Sequence, residues 1–188
     1  MKNQTTSKKL TILCECGIML ALASVLSLIK VWESPYGGSV TLLSMLPIML
    51  MSLRRGVRVG LATSFAYSIL QIGLDLGKLM GYGMTVGIWI GCIVFDYLIP
   101  YTILGLAGLW RNRGVGGKMC GVAMVSVIRY ISHVISGCVF FGTYAWEGWN
   151  PLPYSLVYNA IYMLPEMALT VIAAYALFRL KAFKKFLD

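Results

Sequence analysis

Five ionisable side chains stand inside or beside long apolar stretches of this sequence: Glu15, Asp96, Arg129, His133 and Glu166. At the centre of a bilayer such a group costs about 2.5–3.5 kcal/mol on insertion scales, so each calls for a partner or a ligand. Arg129 and His133 are four residues apart and share one helix face. Asp96, His133 and Asn159 lie at similar depths in three different apolar runs, which brings an acid, an imidazole and an amide to one level. A carboxylate at that level neutralises a cation, a neutral imidazole adds one hydrogen bond, and an amide both donates and accepts. Arg129 and Glu166 read as structural and able to pair with each other, with Asp96 as an alternative partner for Arg129. Glu15 lies near a helix end and can snorkel.

The elements that must position these residues follow from composition. The chain has 188 residues, 59% hydrophobic and 12% charged, against roughly 45–50% apolar and about 25% charged in soluble domains. A water-soluble domain of that make-up would expose large apolar patches. Disordered, collagen-like and disulfide-scaffold classes are excluded by the same numbers. An integral membrane protein remains, read as one domain over residues 1–188. Apolar runs bounded by charge and turn residues predict six helices at 10–30, 40–53, 57–74, 90–110, 119–141 and 154–178. The second is short for a span. The stretch 79–110 is too long for one straight crossing, and Gly81, Gly83, Gly87 and Gly91 predict a bent or lid-like entry to the fourth helix. The fold class is thus an all-α bundle of six transmembrane helices.

Charge orients the bundle. Of the 16 Lys and Arg, all but Lys30, Lys78 and Arg129 lie on one alternating set of segments. Those segments stay cytoplasmic, so both termini are expected there. The net charge of +9 is explained by insertion and needs no nucleic-acid partner. Glu33, Asp75 and Glu147 fall on the opposite loops, an arrangement that attracts a cation rather than an anion. Tyrosines and tryptophans near helix ends read as interface anchors, although Tyr144-Ala145-Trp146-Glu147-Gly148-Trp149 is dense in aromatics for an outer turn.

Other chemistries find little support. No Gly-x-Ser-x-Gly accompanies the single histidine and no His-Glu-x-x-His occurs, so neither a hydrolase elbow nor a metal site is expected. Gly114-Val115-Gly116-Gly117-Lys118-Met119 lacks the first glycine and the Ser/Thr of a phosphate loop. If ATP is used, another chain holds it. The scattered cysteines Cys14, Cys16, Cys92, Cys120 and Cys138 read as buried small hydrophobes. Gly17 and Ala21 form a small-x-x-x-small spacing suited to close helix approach.

Four segments carry a resemblance that covers nearly the whole chain. They are Leu46-Pro47-Ile48-Met49-Leu50-Met51-Ser52-Leu53-Arg54-Arg55-Gly56; Asp96-Tyr97 with Leu104-Gly105-Leu106-Ala107-Gly108-Leu109; Arg129-Tyr130-x-x-His133-x-x-Ser136-Gly137; and Tyr144-Ala145-Trp146-x-Gly148-Trp149 with Tyr154-Ser155-Leu156-x-Tyr158-Asn159. With these the chain resembles the thiamin-specific substrate-binding subunits (S-components) of energy-coupling-factor vitamin transporters. The resemblance implies a thiamin pocket near the outer face of a bacterial plasma-membrane protein. Asp96, Tyr97, His133, Phe141, Tyr154 and Asn159 match the binding residues. Trp32 and Tyr36 match the lid position less cleanly, and Trp146 and Trp149 are further stacking candidates. Asp96 stands where the family often has Glu, and Phe141 where it can have Trp, so stacking should be weaker.

The resemblance also implies partners: a transmembrane coupling protein docked at Gly17 and Ala21, and two ATPase subunits. No cofactor is expected, thiamin being cargo. Thiamin carries a fixed thiazolium charge, which Asp96 would neutralise in a low-dielectric site. Its rings suit stacking on Phe141. A hydroxymethylpyrimidine precursor is the alternative cargo, and an intramembrane enzyme the alternative class.

Overall fold

The computed structural model describes residues 2–34 and 37–187, so Tyr36 lies outside the described residues. Among the described residues, five helices are long and apolar enough to cross a membrane. They are α1 (Lys2–Leu28, apolar from Thr6), α3 (Val57–Gly81), α4 (Val86–Trp110), α5 (Val115–Phe140) and α6 (Pro151–Arg179). Between the first two lie strands β1 (Lys30–Glu33) and β2 (Ser39–Thr41) and the short helix α2 (Leu46–Arg55), and α7 (Lys181–Leu187) follows α6. Leu10, Leu13, Ile18, Leu22 and Val25 of α1 are all exposed, as a lipid-facing helix requires.

The second expected helix, 40–53, is corrected. Residues 39–41 pair with β1 as an antiparallel hairpin, and helix begins only at Leu46, with Pro47 in its first turn. Proline is pre-set for that place and cannot continue a strand ladder. Eight of the ten residues of α2 are buried, so its continuous hydrophobicity reflects a core helix wrapped by others. The Leu42 N–H donates to the Ile29 carbonyl (3.1 Å) at one end, and Arg55 reaches Glu15 at the other. Residues 42–55 therefore run back antiparallel to α1.

The third helix continues past residue 74 to Gly81, because Gln71, Asp75 and Lys78 turn their polar heads into a cavity instead of lipid. The bent entry expected at Gly81–Gly91 is also corrected: Gly83 makes the turn with φ +60, while Gly87 and Gly91 sit in regular helix. The irregularity lies further on, as a π-helical stretch at Ile93–Leu98 and a 3-10 stretch at Ile103–Trp110. Pro100 has no N–H for the carbonyl four residues back, that of Asp96, and its ring crowds it. Widening the turn accommodates the proline, and such bulges gather at functional sites.

Where α2, α3 and α4 meet, the packing is backbone to backbone. A Cβ on Gly105 would lie 2.5 Å from the Leu61 nitrogen. Ser52 Oγ donates to the Gly105 carbonyl and accepts from the Gly108 N–H (2.8 Å).

The basic segments gather at one end. Glu15 bonds Arg54 (2.9 Å) and Arg55 (2.6 Å), so it is a three-residue ion cluster and does not snorkel alone. The Arg54 guanidinium sits 3.9 Å from the Phe186 ring. The cysteines depart from expectation as well: Cys92 is buried, but Cys14 and Cys120 are exposed on apolar helices that face lipid.

Candidate functional site

At the end of the bundle opposite the basic cluster, α3, α4, α5, α6 and the hairpin enclose a cavity of about 280 Å³. Small-molecule pockets start near that size, at roughly 300 Å³. Asp96, Tyr97, His133, Phe141, Tyr154 and Asn159 all line it. The π-helical turn sends Asp96 and Tyr97 to different walls. Asp96 Oδ1 meets His133 Nδ1 (3.0 Å) and its Oδ2 accepts from Ser136 Oγ (2.6 Å), both on α5. Tyr97 instead donates to Asp75 Oδ2 on α3 (3.2 Å).

These contacts fix the chemistry. A carboxylate can only accept, so His133 carries a proton on Nδ1, and in the neutral ring Nε2 is then an acceptor. That Nε2 is buried with no hydrogen-bond partner among the described residues. Asn159 is more committed. Its Nδ2 donates to the Ser155 carbonyl (2.8 Å) and Ser155 Oγ (3.1 Å), and its Oδ1 accepts from the Tyr162 hydroxyl (2.5 Å). One Oδ1 lone pair remains. Tyr154, Tyr158 and Tyr162, four residues apart on α6, form an aromatic ladder with centroids 5.5 and 6.2 Å apart. Phe141 and Tyr144 face it as a second pair, 6.1 Å apart. The walls thus offer acceptors on His133 and Asn159, a carboxyl on Asp96 and flat rings around them, an environment for a compact aromatic cation.

Arg129 pairs with Glu166 (3.3 Å) rather than with Asp96. Asp96, which lines the cavity, therefore takes its contacts from His133 and Ser136 and not from Arg129. Glu166 also accepts from Thr41 of β2 (2.5 Å), so the ion pair is tied to the hairpin.

The hairpin closes the mouth. Ser34 Oγ donates to the Tyr158 hydroxyl (2.6 Å), which donates on to the Gly37 carbonyl (2.9 Å). Glu33 bonds Lys30 (2.9 Å) and Lys78 on α3. Those hydrogen bonds, Lys78 first, hold the Glu33 carboxyl below its usual range. Three aromatic candidates fall elsewhere. Trp32 on β1 is 41% exposed and does not line the cavity. Neither do Trp146 and Trp149; Trp146 packs edge-on against Tyr154 (5.2 Å) and Trp149 (5.1 Å), so it buttresses a wall from behind.

Among the cavity-lining residues that sequence reasoning passed over as site candidates are three polar ones on α3: Gln71, Asp75 and Lys78. A polar residue at each turn of an otherwise apolar helix was the available signal. Gly17 and Ala21 of α1 are exposed, and a Cβ on Gly17 would meet nothing within 4 Å.

Comparison with known proteins supplies the remaining findings. A family model described as thiamine transporter protein matches residues 13–186. The thiamine transporter ThiT of Bacillus subtilis (strain 168) is 34% identical over 186 residues, covering 92% of each chain. Thiamine transporter ThiT of Lacticaseibacillus paracasei is 27% identical over 181 residues, covering 88% of this chain and 85% of the relative. The solved structure of ThiT from Listeria monocytogenes has the same fold, with a TM-score of 0.77 at 22% identity over 96% of this chain and 98% of that one.

Proposed function

Since the chain belongs to the thiamine transporter family, a family of multi-pass membrane proteins and not of enzymes, we propose that it is the thiamin-capturing S-component of an energy-coupling-factor importer. The observation that carries this reading is the Asp96 carboxylate, held by His133 and Ser136 with no arginine or lysine partner among the described residues, on the wall of an aromatic-lined cavity. Thiamin supplies the fixed positive charge that such a carboxylate favours, and its aminopyrimidine amine is a donor suited to the bare His133 Nε2. Phe141 and the tyrosine ladder take the ring faces. A hydroxymethylpyrimidine lacks the fixed charge and makes poorer use of Asp96.

The basic end, with Arg54, Arg55 and the α7 helix, faces the cytoplasm of a bacterial cell by the excess of positive charge there. The cavity then opens outward and both termini lie inside. ATP is consumed by two separate ATPase subunits, linked through a transmembrane coupling protein that packs on the exposed Gly17 and Ala21 face of α1. Small residues there allow the backbones to approach closely.

Titration of the purified protein with thiamin, followed by intrinsic tryptophan fluorescence, tests the cargo. Trp146 lies against the cavity-lining Tyr154, so binding is expected to quench emission saturably at one thiamin per chain. A flat titration, with no retained thiamin after gel filtration, would remove the reading. The hairpin provides a second expectation. Gly38 has φ +87, and a Cβ there would lie 2.5 Å from the Tyr162 ring. Non-glycine residues in such a conformation cost about 1–3 kcal/mol. Gly38→Ala is expected to lift the hairpin and speed thiamin release about tenfold in stopped-flow displacement; an unchanged off-rate would show that the hairpin does not hold the ligand.

A further inference from the structure

The α3 wall holds hydrogen-bonding capacity that the roles above leave unused. Tyr67, Gln71 and Asp75 follow one another at four-residue spacing and share a helix face. Gln71 is 4% exposed and lines the cavity. Its amide nitrogen makes no hydrogen bond among the described residues. Buried polar groups are nearly always partnered, so an unmet donor on a cavity wall points to an acceptor that arrives with the ligand. One turn nearer the mouth, Asp75 accepts the Tyr97 hydroxyl on Oδ2 (3.2 Å). A carboxylate has about four acceptor positions, which leaves Asp75 room for another donor.

We infer that Gln71 and Asp75 form a subsite for an alcohol on the ligand, with Gln71 Nε2 donating to the hydroxyl oxygen and Asp75 accepting the hydroxyl hydrogen. An alcohol donates and accepts at a single atom, and a donor and an acceptor one helical turn apart bracket it. Tyr97 is the positioning residue, because its bond to Asp75 fixes that carboxylate's rotamer. This inference rests on the thiamin reading, since thiamin carries a hydroxyethyl arm. With the charged ring drawn to Asp96, whose partners are on α5, the arm is left to the α3 wall. A site built to hydrogen-bond a hydroxyl discriminates against an analogue lacking it, because its own buried groups then stay unpaired.

The test compares thiamin with the analogue bearing ethyl in place of hydroxyethyl, titrated against the full chain in detergent. The wild type is expected to prefer thiamin by about tenfold or more. Gln71→Leu should cut that preference to roughly threefold or less by weakening thiamin and sparing the analogue. Asp75→Asn should narrow it as well and serves if Gln71→Leu fails to fold. A purely structural role for either residue would lower both affinities together and leave their ratio unmoved. Equal affinity of the wild type for the two ligands, or an unmoved ratio in the variants, overturns the subsite and leaves the thiamin reading standing. Failure of the wild type to bind either ligand overturns the thiamin reading and the subsite with it.

Discussion

Asp96→Asn is expected to weaken thiamin binding about a hundredfold, ~2.8 kcal/mol. The substitution keeps size and shape, so the contacts to His133 and Ser136 can be partly rebuilt while the charge is lost. Two opposite charges 4 Å apart attract by about 4 kcal/mol at the effective dielectric of a partly wet protein site. Some of that is returned by the dipole of the new amide, which leaves a loss near the stated size. The variant also disturbs the imidazole. An amide turned with its nitrogen toward His133 would favour the other tautomer and convert Nε2 from acceptor to donor, facing the ligand's amine with a like group. Isothermal titration or fluorescence measures the change. A neutral pyrimidine fragment gives the internal control, because it keeps the ring contacts and lacks the fixed charge; its affinity should fall much less. Equal losses for thiamin and the fragment would assign Asp96 to orienting His133 and deny it the cation.

Much of this site was legible before any coordinates, and for a physical reason. Hydrocarbon tolerates few ionisable groups, so Asp96, His133 and Glu166 stood out against their surroundings. Asp75 did not, because reading ended the apolar run just before it and assigned it to a loop. The helix continues to Gly81 because a cavity, invisible in the hydropathy pattern, solvates that face. The same blindness affected α2. A fully buried helix and a lipid-facing one are equally apolar, and only length tells them apart. The aromatic turn was recognisable, and the resemblance pointed to Phe141, but it left Trp146 and Trp149 as further candidates and passed over Tyr144: Phe141 and Tyr144 line the cavity and Trp146 stands behind Tyr154. That choice depends on the local 3-10 turn at Gly142–Tyr144, which residue types alone do not specify. The partner of Arg129 was open for a related reason, since Asp96 and Glu166 were both acids within the bundle and only packing decides between them.

The Arg129–Glu166 pair carries the largest expected effect on stability. Both side chains are nearly fully buried, at 8% and 3% exposure. Burying such a pair gains little over apolar residues of similar size, whereas removing one partner strands the other charge and costs about 3–5 kcal/mol. Glu166→Gln retains an acceptor for Thr41 but removes the carboxylate from the Arg129 guanidinium, which also faces the Tyr101 ring, 5.0 Å away. The thermal midpoint of the purified protein is expected to fall by roughly 10 °C, taking about 2–4 °C per kcal/mol for a chain of this length. Saturating thiamin at 100 times its dissociation constant should return about 2.7 kcal/mol of that by mass action, provided the cavity survives. The double variant Arg129→Met/Glu166→Leu removes both charges and should recover most of the midpoint. It should not recover the hairpin, because Thr41 then loses its acceptor on α6. Thiamin release from the double variant should accordingly remain faster than from the wild type even at equal thermal stability. A Glu166→Gln midpoint within 2 °C of the wild type would mean that the cavity, which both residues line, solvates the guanidinium left behind, and the pair would then not be a structural requirement of the bundle.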